Sequence, residues 1–243
     1  MNMKYIFLSP HFDDAIYSCG GFIYDLIING NEVEIWTICA GNPPVGEISP
    51  FAKSLHARWE AQTDVITIRS EEDISACESL NAKPVHFDVP DCIYRKNEEE
   101  WLYISEAAIF GDLRAKDQEI IAYMVNQIEA KIGKQEVAIF GPLGIGNHVD
   151  HQLTKKIFEN VKNSKKGYYP EFPYTRDKSM KEIGYLANSM NTQSFCISER
   201  GIEKWSSAIE LYASQINSFW KTKKAIREDV SAIIIKMGGQ IIY

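Results

Sequence analysis

The sequence predicts a single-domain α/β fold with a mostly parallel sheet and helices on both of its faces. Short apolar, β-prone runs at residues 4–9 and 137–140 lack the polar alternation of a half-exposed strand, which is typical of strands buried on both faces. Each run leads through a polar turn into a stretch with helical periodicity, and this alternation favours a parallel, Rossmann-like sheet. Because the 243 residues contain no Pro/Gly/Ser-rich linker, residues 1–243 are predicted to form one domain.

Apolar periodicity, and the residues that stop it, define the elements of the first two thirds of the chain. The predicted strands are 4–9, 32–39, 84–88 and 137–140, and the predicted helices are 15–29, two within 51–82 divided at the β-branched residues 65–68, 117–132 and 149–161. Gly30 and Gly133 stop two helices, because glycine readily adopts the left-handed conformation that follows a helix. Gly20-Gly21 lies inside the first helix, where each glycine costs about 1 kcal/mol relative to alanine, so close packing against it is expected.

The remaining segments show weaker patterns. The polar stretch 89–111 predicts irregular structure. Residues 168–176 are rich in aromatic residues and proline, which predicts an extended segment that is not a central strand. A strand is predicted at 193–198, a helix at 202–220, and a helix end followed by an edge strand within 231–243.

Composition and charge exclude several classes of protein. Hydrophobic residues make up 45% and charged residues 24%, which is typical of a folded globular chain and excludes disorder. The net charge of −7 argues against nucleic acid as a partner. The apolar run near the N-terminus is too short for a signal peptide, and no run reaches membrane-spanning length, so a cytoplasmic location is expected. The 5 cysteines show no CxxC spacing, which indicates neither a disulfide framework nor a thiolate metal site.

Two polar loops carry the residues that could bind a metal ion or take part in catalysis. Ser9-Pro10-His11-Phe12-Asp13-Asp14 closes the first predicted strand, and Gly144-Ile145-Gly146-Asn147-His148-Val149-Asp150-His151 follows the strand at 137–140. Each loop offers side chains three residues apart, a spacing that brings them together on one helical turn. Ligands of open parallel sheets bind outside the carboxyl ends of the strands, so the two loops are expected to meet.

The loops supply the ligands of a catalytic zinc site. His11, Asp14 and His151 provide two imidazoles and one carboxylate, which leaves a fourth position for a water whose pKa zinc lowers to about 7. Asp13 adjoins a ligand and is placed to act as general base. His148 can donate to the oxygen that becomes negative during attack on a carbonyl, and as a protonated donor it predicts a bell-shaped pH profile. The pattern therefore predicts hydrolysis of an amide or ester.

These motifs resemble the PIG-L/LmbE family of zinc-dependent N-acetylglucosaminyl deacetylases. The family signatures His-Pro-Asp-Asp-Glu, Cys-Gly-Gly and His-x-Asp-His are matched by His11-Phe12-Asp13-Asp14-Ala15, Cys19-Gly20-Gly21 and His148-Val149-Asp150-His151. Its Arg-x-x-Glu helix, which ends in Leu-Gly, resembles Arg69-Ser70-Glu71-Glu72 with Leu80-Asn81-Ala82. The resemblance covers residues 4–175. Its two departures, Phe12 for Pro and Ala15 for Glu, bear on the substrate rather than on the zinc.

The resemblance implies a role for individual residues. It makes His11, Asp14 and His151 the zinc ligands, Asp13 the general base, His148 the oxyanion stabiliser and Asp150 the residue that orients His148. It also makes Arg69, Asp91 and Arg95 candidates for contacts to the substrate. The implied activity is removal of acetyl from an N-acetylated amino sugar or glycoconjugate by a Zn²⁺-dependent, LmbE-like fold, with release of acetate.

Two alternatives stay open on the sequence. A zinc amidase acting on another acyl amide or on a cyclic imide would share every catalytic residue and differ only in the pocket. A non-catalytic, Rossmann-like module that binds a nucleotide would have only Gly20-Gly21 in its favour, and it predicts no zinc. The sequence assigns neither the N-acetylated acceptor nor the oligomeric state.

Overall fold

The computed structural model describes residues 3–58, 64–162, 164–187, 191–237 and 240–242. In chain order its strands are β1 (Lys4–Ser9), β2 (Glu32–Thr37), β3 (Lys83–His86), β4 (Lys96–Asn97), β5 (Glu100–Trp101), β6 (Val137–Pro142), β7 (Lys165–Tyr169), β8 (Gln193–Phe195) and β9 (Gln240–Ile242). The four predicted strands of the first two thirds are present. β2 and β3 end two residues earlier than predicted, and β6 runs two residues further.

The helices follow the predicted periodicity most closely where it is strongest. They are α1 (Asp14–Ile28), α2 (Pro50–Arg58), α3 (Val65–Ser79), α4 (Glu106–Ile109), α5 (Asp117–Ile132), α6 (Val149–Asn160), α7 (Met180–Leu186), α8 (Glu199–Ile209), α9 (Ala213–Ile216) and α10 (Lys223–Met237). α5 has the predicted bounds. Within the described residues, no helix has both the length and the apolar character needed to cross a membrane.

Strand order explains how the two motif loops come together. β3, β2, β1, β6 and β7 form one sheet in that order, and all of its pairings are parallel. The chain starts at the centre with β1, moves outward through β2 and β3, and returns to place β6 on the other side of β1. The direction of winding therefore reverses between β1 and β6, which makes this the topological switch point. The predicted mostly parallel α/β sheet is confirmed.

Helices cover both faces of the sheet, as predicted. Along β1, Phe7 packs into the core formed with α1, α3, α8 and α10, whereas Ile6 and Leu8 pack into the core formed with α5 and α6. Successive residues of a strand point to opposite faces. Because both faces are covered, β1 needs apolar residues at consecutive positions, and this is the physical reason for its unbroken apolar run.

Tertiary contacts overrode the sequence pattern in two helical segments. The β-branched residues 65–68 form the first turn of α3 instead of interrupting a helix, and Val65 is buried there; residues 59–63 lie outside the described residues. The single helix predicted at 202–220 is wrong, because α8 ends at Ile209 and α9 covers only residues 213–216. Between them, buried Tyr212 turns inward to reach α3 and the loop after β1.

The C-terminal part contains further elements that lacked a clear sequence signal. β7 starts at Lys165, so the segment predicted as extended from residue 168 supplies the last two residues of an edge strand. The predicted strand near residue 193 and the edge strand at the end of the chain are present, and they pair with each other as β8 and β9. The hairpin of β4 and β5, and the short helices α4 and α7, were not predicted.

Gly20 and Gly21 allow α8 to lie directly on α1, as the sequence predicts. A Cβ atom on Gly20 would lie 2.5 Å from Trp205 Cδ1, and one on Gly21 would lie 2.8 Å from Ile197 Cγ2. Both glycines are in the middle of a buried helix and not in a loop that could hold a phosphate. The nucleotide-binding alternative thereby loses the feature that favoured it.

Replacing Gly20 with alanine is expected to lower the free energy of unfolding by about 1–3 kcal/mol, because Trp205 is buried and cannot move away from the added methyl group. The steric cost of the added methyl group thus outweighs the gain of about 1 kcal/mol in helix propensity that alanine has over glycine. Gly184→Ala on α7 is the matched control, since nothing lies within 4 Å of its Cβ position, and it should be neutral or stabilising. Urea denaturation followed by tryptophan fluorescence measures both, and equal stability of the two variants would contradict the steric argument.

Candidate active site

The two motif loops meet at the carboxyl edge of the sheet, where β1 and β6 end. The ring centroid of His11 lies 5.1 Å from that of His148 and 5.6 Å from that of His151. His148 is the N-cap of α6, and Asp14 is the first residue of α1, where the helix dipole favours a carboxylate. The convergence expected from the sequence is therefore present in the structure.

Asp14 lies between the two predicted histidine ligands. Its Oδ2 atom is 3.1 Å from His11 Nδ1 and 3.3 Å from His151 Nε2. Burial opposes ionisation of Asp14, but His151 and His11 outweigh it and hold the pKa of this carboxyl well below its ordinary value. Conversely, burial opposes the charge on His151, but Asp14 and Glu171 raise the pKa of this imidazole to about 9. Asp14 and the two histidines thus stabilise one another's charges, and their potential metal-binding atoms lie close together.

The two ring nitrogens of His151 have different surroundings. Nδ1 lies 3.0 Å from Glu171 Oε1, whereas Nε2 is buried and forms no hydrogen bond with a described residue. A buried polar atom without a hydrogen bond costs about 1–3 kcal/mol and is rare in folded proteins. Once the ring gives up its Nε2 proton, the lone pair on this nitrogen, with His11 and Asp14 beside it, would provide the chemistry of a catalytic zinc site.

His148 adds a further nitrogen to this cluster. Ligand atoms of His11, His148 and His151 all lie within 4.8 Å of one another. The backbone N–H of Asp150 donates to His148 Nδ1 at 3.2 Å, so a neutral His148 ring carries its proton on Nε2. Burial and the neighbouring His11 and His151 rings lower the pKa of His148 to about 3. Any positive charge in the cluster, including that of a metal ion, would also lower the pKa of His148.

This electrostatic environment corrects the protonated state expected of His148 from the sequence. At neutral pH the ring is neutral, because a second positive charge beside the cluster is unfavourable. A neutral imidazole can still donate through Nε2–H. Burial and the neighbouring histidines therefore argue against the titration of His148 as the source of the basic limb of a bell-shaped pH profile.

Asp13 follows the ligand loop and borders the main cavity. Its side chain is 9% exposed, and Oδ1 lies 3.7 Å from Arg69 Nη2. Burial raises the pKa of Asp13, with the Arg69 charge acting against it. A carboxylate whose pKa is shifted toward neutrality is a better general base than an ordinary one. Arg69 keeps this carboxylate charged and in place.

Asp150 occupies a different position from the one implied by the family resemblance. Its carboxylate Oδ2 lies 3.0 Å from His11 Nε2 and accepts the backbone N–H of Cys92 at 3.0 Å. Only its main-chain N–H contacts His148. The side chain therefore orients His11, and the expectation that it orients His148 is corrected, because the carboxylate at the second position of α6 points to the other motif loop.

Arg95 does not border the main cavity, so its assignment as a substrate contact is also corrected. Its guanidinium is 3% exposed, donates to Asp117 Oδ1 at 2.7 Å and pairs with Asp150 Oδ1. A buried cation requires buried anions, and these two carboxylates use its donors. Arg95 contributes to the site indirectly, because its ion pair with Asp150 holds the carboxylate that contacts His11.

The other two predicted substrate contacts do border the cavity. The Arg69 guanidinium lies over the Phe12 ring, with its Cζ atom 5.6 Å from the ring centroid. Asp91 Oδ2 lies 3.6 Å from His11 Nε2, while Oδ1 accepts the backbone N–H of Ile93. Burial opposes ionisation of Asp91, but His11 and His148 lower its pKa below the ordinary value. Both charged groups can therefore meet a polar ligand in the cavity.

The cavity has a volume of about 590 Å³, and one of its walls comes from a segment that showed no functional motif in the sequence. This wall consists of Ser214, Gln215, Asn217, Ser218 and Phe219. Glu72 on α3 anchors it by accepting hydrogen bonds from the backbone N–H and the hydroxyl of Ser214, at 2.8 Å and 2.6 Å. Tyr212 adds a hydrogen bond to the carbonyl oxygen of Phe12 at 3.0 Å.

Glu171 is the other residue that sequence analysis missed. It is fully buried and contacts His151, although it lies 20 positions further along the chain. The only available signal was a single carboxylate in the otherwise apolar stretch Tyr168-Tyr169-Pro170-Glu171-Phe172-Pro173. A buried ionisable side chain in such a stretch requires polar partners.

Several proteins of similar sequence or structure are named as deacetylases. The chain is 29% identical over 188 residues to the 2'-N-acetylparomamine deacetylase of Niallia circulans, a match that covers 70% of this chain and 67% of that protein. The zinc-inhibited form of teicoplanin deacetylase Orf2 superimposes with a TM-score of 0.86 at 21% identity, covering 99% of this chain and 97% of the other. For the A40926 pseudoaglycone deacetylase Dbv21 the TM-score is 0.77 at 20% identity, with 100% and 96% covered. Likeness to these two structures establishes the fold.

The family model described as PIG-L, GlcNAc-PI de-N-acetylase, matches residues 6–162. The matched range contains both motif loops, and it ends before Glu171 and before the cavity wall at residues 214–219. It covers more than half of the chain. The parallel sheet, the paired loops at its switch point and this match together establish that the chain belongs to the PIG-L family of deacetylases.

Proposed function

We propose that the protein is a zinc-dependent N-deacetylase that removes the acetyl group from an N-acetylated amino sugar or glycoconjugate. The observation that carries this proposal is the cluster of His11, Asp14 and His151, in which His11, Asp14 and the neighbouring Asp13 line a large cavity and His151 is buried against Asp14. The relatives support the substrate class, since one is named a 2'-N-acetylparomamine deacetylase and another is a deacetylase of teicoplanin biosynthesis solved in complex with teicoplanin.

His11, Asp14 and His151 would hold the zinc ion, through the nitrogen and oxygen donors that Zn²⁺ prefers. When bound, zinc supplies Lewis-acid polarisation and lowers the pKa of a water ligand. Asp150 and Glu171 orient the two imidazoles from behind, as carboxylate partners of metal-binding histidines commonly do. The remaining chemistry falls to groups of the chain that face the cavity.

Asp13 accepts a proton from the attacking water. As the water oxygen bonds to the acetyl carbon, the proton passes to the Asp13 carboxylate, and it is later delivered to the leaving nitrogen when the C–N bond breaks. The products are acetic acid and a free amine, which exchange a proton at neutral pH to become acetate and an ammonium group, so atoms and charge balance without another reactant. The Arg69 guanidinium, 3.7 Å from Asp13 Oδ1, keeps the base ionised before attack.

His148 stabilises the negative charge that develops on the acetyl oxygen. Its Nε2–H is the free donor of the neutral ring, because Nδ1 accepts the N–H of Asp150. A donor aimed at a developing oxyanion contributes about 10²–10³-fold to the rate. A neutral donor is effective throughout the range in which Asp13 is ionised.

The cavity composition supports a hydroxyl-rich substrate. Its C-terminal wall carries the hydroxyl and amide side chains of Ser214, Gln215, Asn217 and Ser218, with the aromatic ring of Phe219 beside them. Hydroxyl and amide groups both donate and accept hydrogen bonds, which suits the alternating hydroxyls of a sugar. The volume of about 590 Å³ lies within the range of small-ligand sites, about 300–1,000 Å³.

A substrate panel tests the proposal. Zinc-loaded protein is incubated with N-acetylhexosamines, N-acetylated aminoglycosides, N-acetylated glycoconjugates, simple acyl amides and cyclic imides, and products are identified by mass spectrometry. We expect a mass loss corresponding to acetyl only from N-acetylated sugars, with equimolar acetate. Turnover of cyclic imides or simple amides alone would favour the other zinc amidase, and zinc-loaded protein that hydrolyses none of these compounds would contradict the proposed function.

A further inference from the structure

We propose that Glu171 is a positioning residue that fixes the tautomer and orientation of His151 and thereby sets the affinity of the site for zinc. The inference rests on the zinc site of the proposed function, but not on the substrate. Glu171 lies beyond residues 6–162, the range matched by the family model. Neither of the two motif loops includes it.

Both oxygens of the Glu171 carboxylate form hydrogen bonds with groups of the motif loop after β6. Oε1 lies 3.0 Å from His151 Nδ1 and accepts the backbone N–H of Gly144 at 2.9 Å. Oε2 accepts the N–H groups of Gly144 at 3.1 Å and Ile145 at 3.2 Å. Since the side chain is 0% exposed, water cannot replace these donors. One carboxylate thus ties the start of the loop to the ligand at its end.

These contacts determine which ring nitrogen of His151 can bind a metal. A carboxylate oxygen that already accepts a backbone N–H can only accept, so His151 Nδ1 must be the donor. In a neutral ring the proton is then on Nδ1, and the lone pair is on Nε2. That atom lies 3.3 Å from Asp14 Oδ2 and forms no hydrogen bond with a described residue. Glu171 therefore presents the ligand nitrogen to the site.

Glu171→Gln separates the positioning role from a packing role. The glutamine oxygen can take the place of Oε2 and continue to accept hydrogen bonds from the backbone N–H groups of Gly144 and Ile145. Its NH₂ group then takes the place of Oε1, where it gives up the contact of 2.9 Å with the Gly144 N–H and requires His151 Nδ1 to accept. The opposite orientation would bring the NH₂ group against two backbone donors. The ring proton consequently moves to Nε2, where Asp14 can accept it, and the metal-binding lone pair is lost.

We expect Glu171→Gln to fold with a denaturation midpoint close to that of the wild type and to bind zinc about 10–100-fold more weakly. Zinc affinity is measured on metal-free protein by competition with a chromophoric chelator, which requires no substrate. In zinc-loaded wild-type protein, ¹⁵N NMR of the histidine side chains should show the His151 proton on Nδ1.

Glu34→Gln is the matched control. Glu34 on β2 is also a buried carboxylate with several donors, since it accepts from Trp36 Nε1 at 2.7 Å and from Lys4 Nζ at 2.9 Å. It lies outside the cavity. The control should lose some stability but keep the zinc affinity of the wild type. Equal weakening of zinc binding in both variants would show a general effect of stability and overturn the inference.

Two further results would overturn the role of Glu171 while leaving the proposed function intact. These are wild-type zinc affinity in Glu171→Gln, or a His151 proton on Nε2 in the zinc-loaded wild type. Conversely, weak zinc binding by Glu171→Gln together with a zinc-loaded wild type that deacetylates nothing would support the inference and contradict the proposed function. Wild-type protein that binds no zinc would contradict both.

Discussion

Replacing His151 with alanine is expected to abolish zinc binding and, with it, deacetylation. The residue supplies the most buried nitrogen of the cluster, at 0% exposure, and its Nε2 faces Asp14 Oδ2. Removing it leaves two candidate ligands and a buried Asp14 carboxylate that has lost one of its two positive partners. We expect about one zinc per wild-type chain, as for a site with three protein ligands, and close to none in the variant.

Zinc content is measured by elemental analysis after purification without chelator and again after reloading with zinc. His56→Ala serves as the control, because His56 on α2 contacts Tyr94 and does not border the cavity. This variant should keep its zinc. If His151→Ala instead retained full zinc occupancy and activity, the ligand set would be wrong, whereas loss of zinc in both variants would indicate unfolding, which circular dichroism detects.

Asp13→Asn is expected to lower kcat by about 10²–10⁴-fold while zinc content stays unchanged. Asparagine has nearly the same shape as aspartate, but it cannot accept the proton of the attacking water. It also leaves the buried Arg69 guanidinium facing a neutral amide, so a moderate loss of stability is expected in addition. Single-turnover kinetics on an N-acetylated sugar identified by the substrate panel, together with zinc analysis, check both expectations.

Asp25→Asn, on the helix whose N-cap is Asp13, gives a control for Asp13→Asn. Asp25 accepts hydrogen bonds from the backbone N–H and hydroxyl of Ser198, at 2.7 Å and 2.6 Å, and lies outside the cavity. Its replacement should weaken the contact between α1 and α8 without changing kcat. A loss of zinc together with activity in Asp13→Asn would make Asp13 a ligand, and an unchanged kcat would remove it from the role of base.

Local sequence information was sufficient for the elements and groups that depend on neighbours along the chain. Periodicity predicted α1, α5 and the strands β1 and β6, because burial on a sheet or against a helix imposes a repeating pattern on adjacent residues. The cluster of His11, Asp14 and His151 was predictable for a related reason. Ligands on one turn are close in sequence, and parallel strands bring their carboxyl ends to one edge.

The same reasoning failed where a side chain is used by a distant partner. Arg95 was expected at the substrate, but Asp117 and Asp150 use its donors. Asp150 was expected to orient His148, but its carboxylate contacts His11, 139 positions away. Spacing along the chain shows which charged groups are available, whereas the partner that each one takes depends on which buried charges the fold leaves to be neutralised.

Patterns along the chain were enough to predict the parallel α/β sheet, the paired motif loops and the residues of the candidate metal cluster. They did not predict that Glu171 contacts His151, that the chain turns inward at Tyr212 or that residues 214–219 contribute to the cavity. Those contacts join segments that are up to 200 positions apart, as in the hydrogen bond from Tyr212 to Phe12. No local pattern records such a pairing, because it exists only where folding removes water from both groups and leaves each as the other's hydrogen-bond partner.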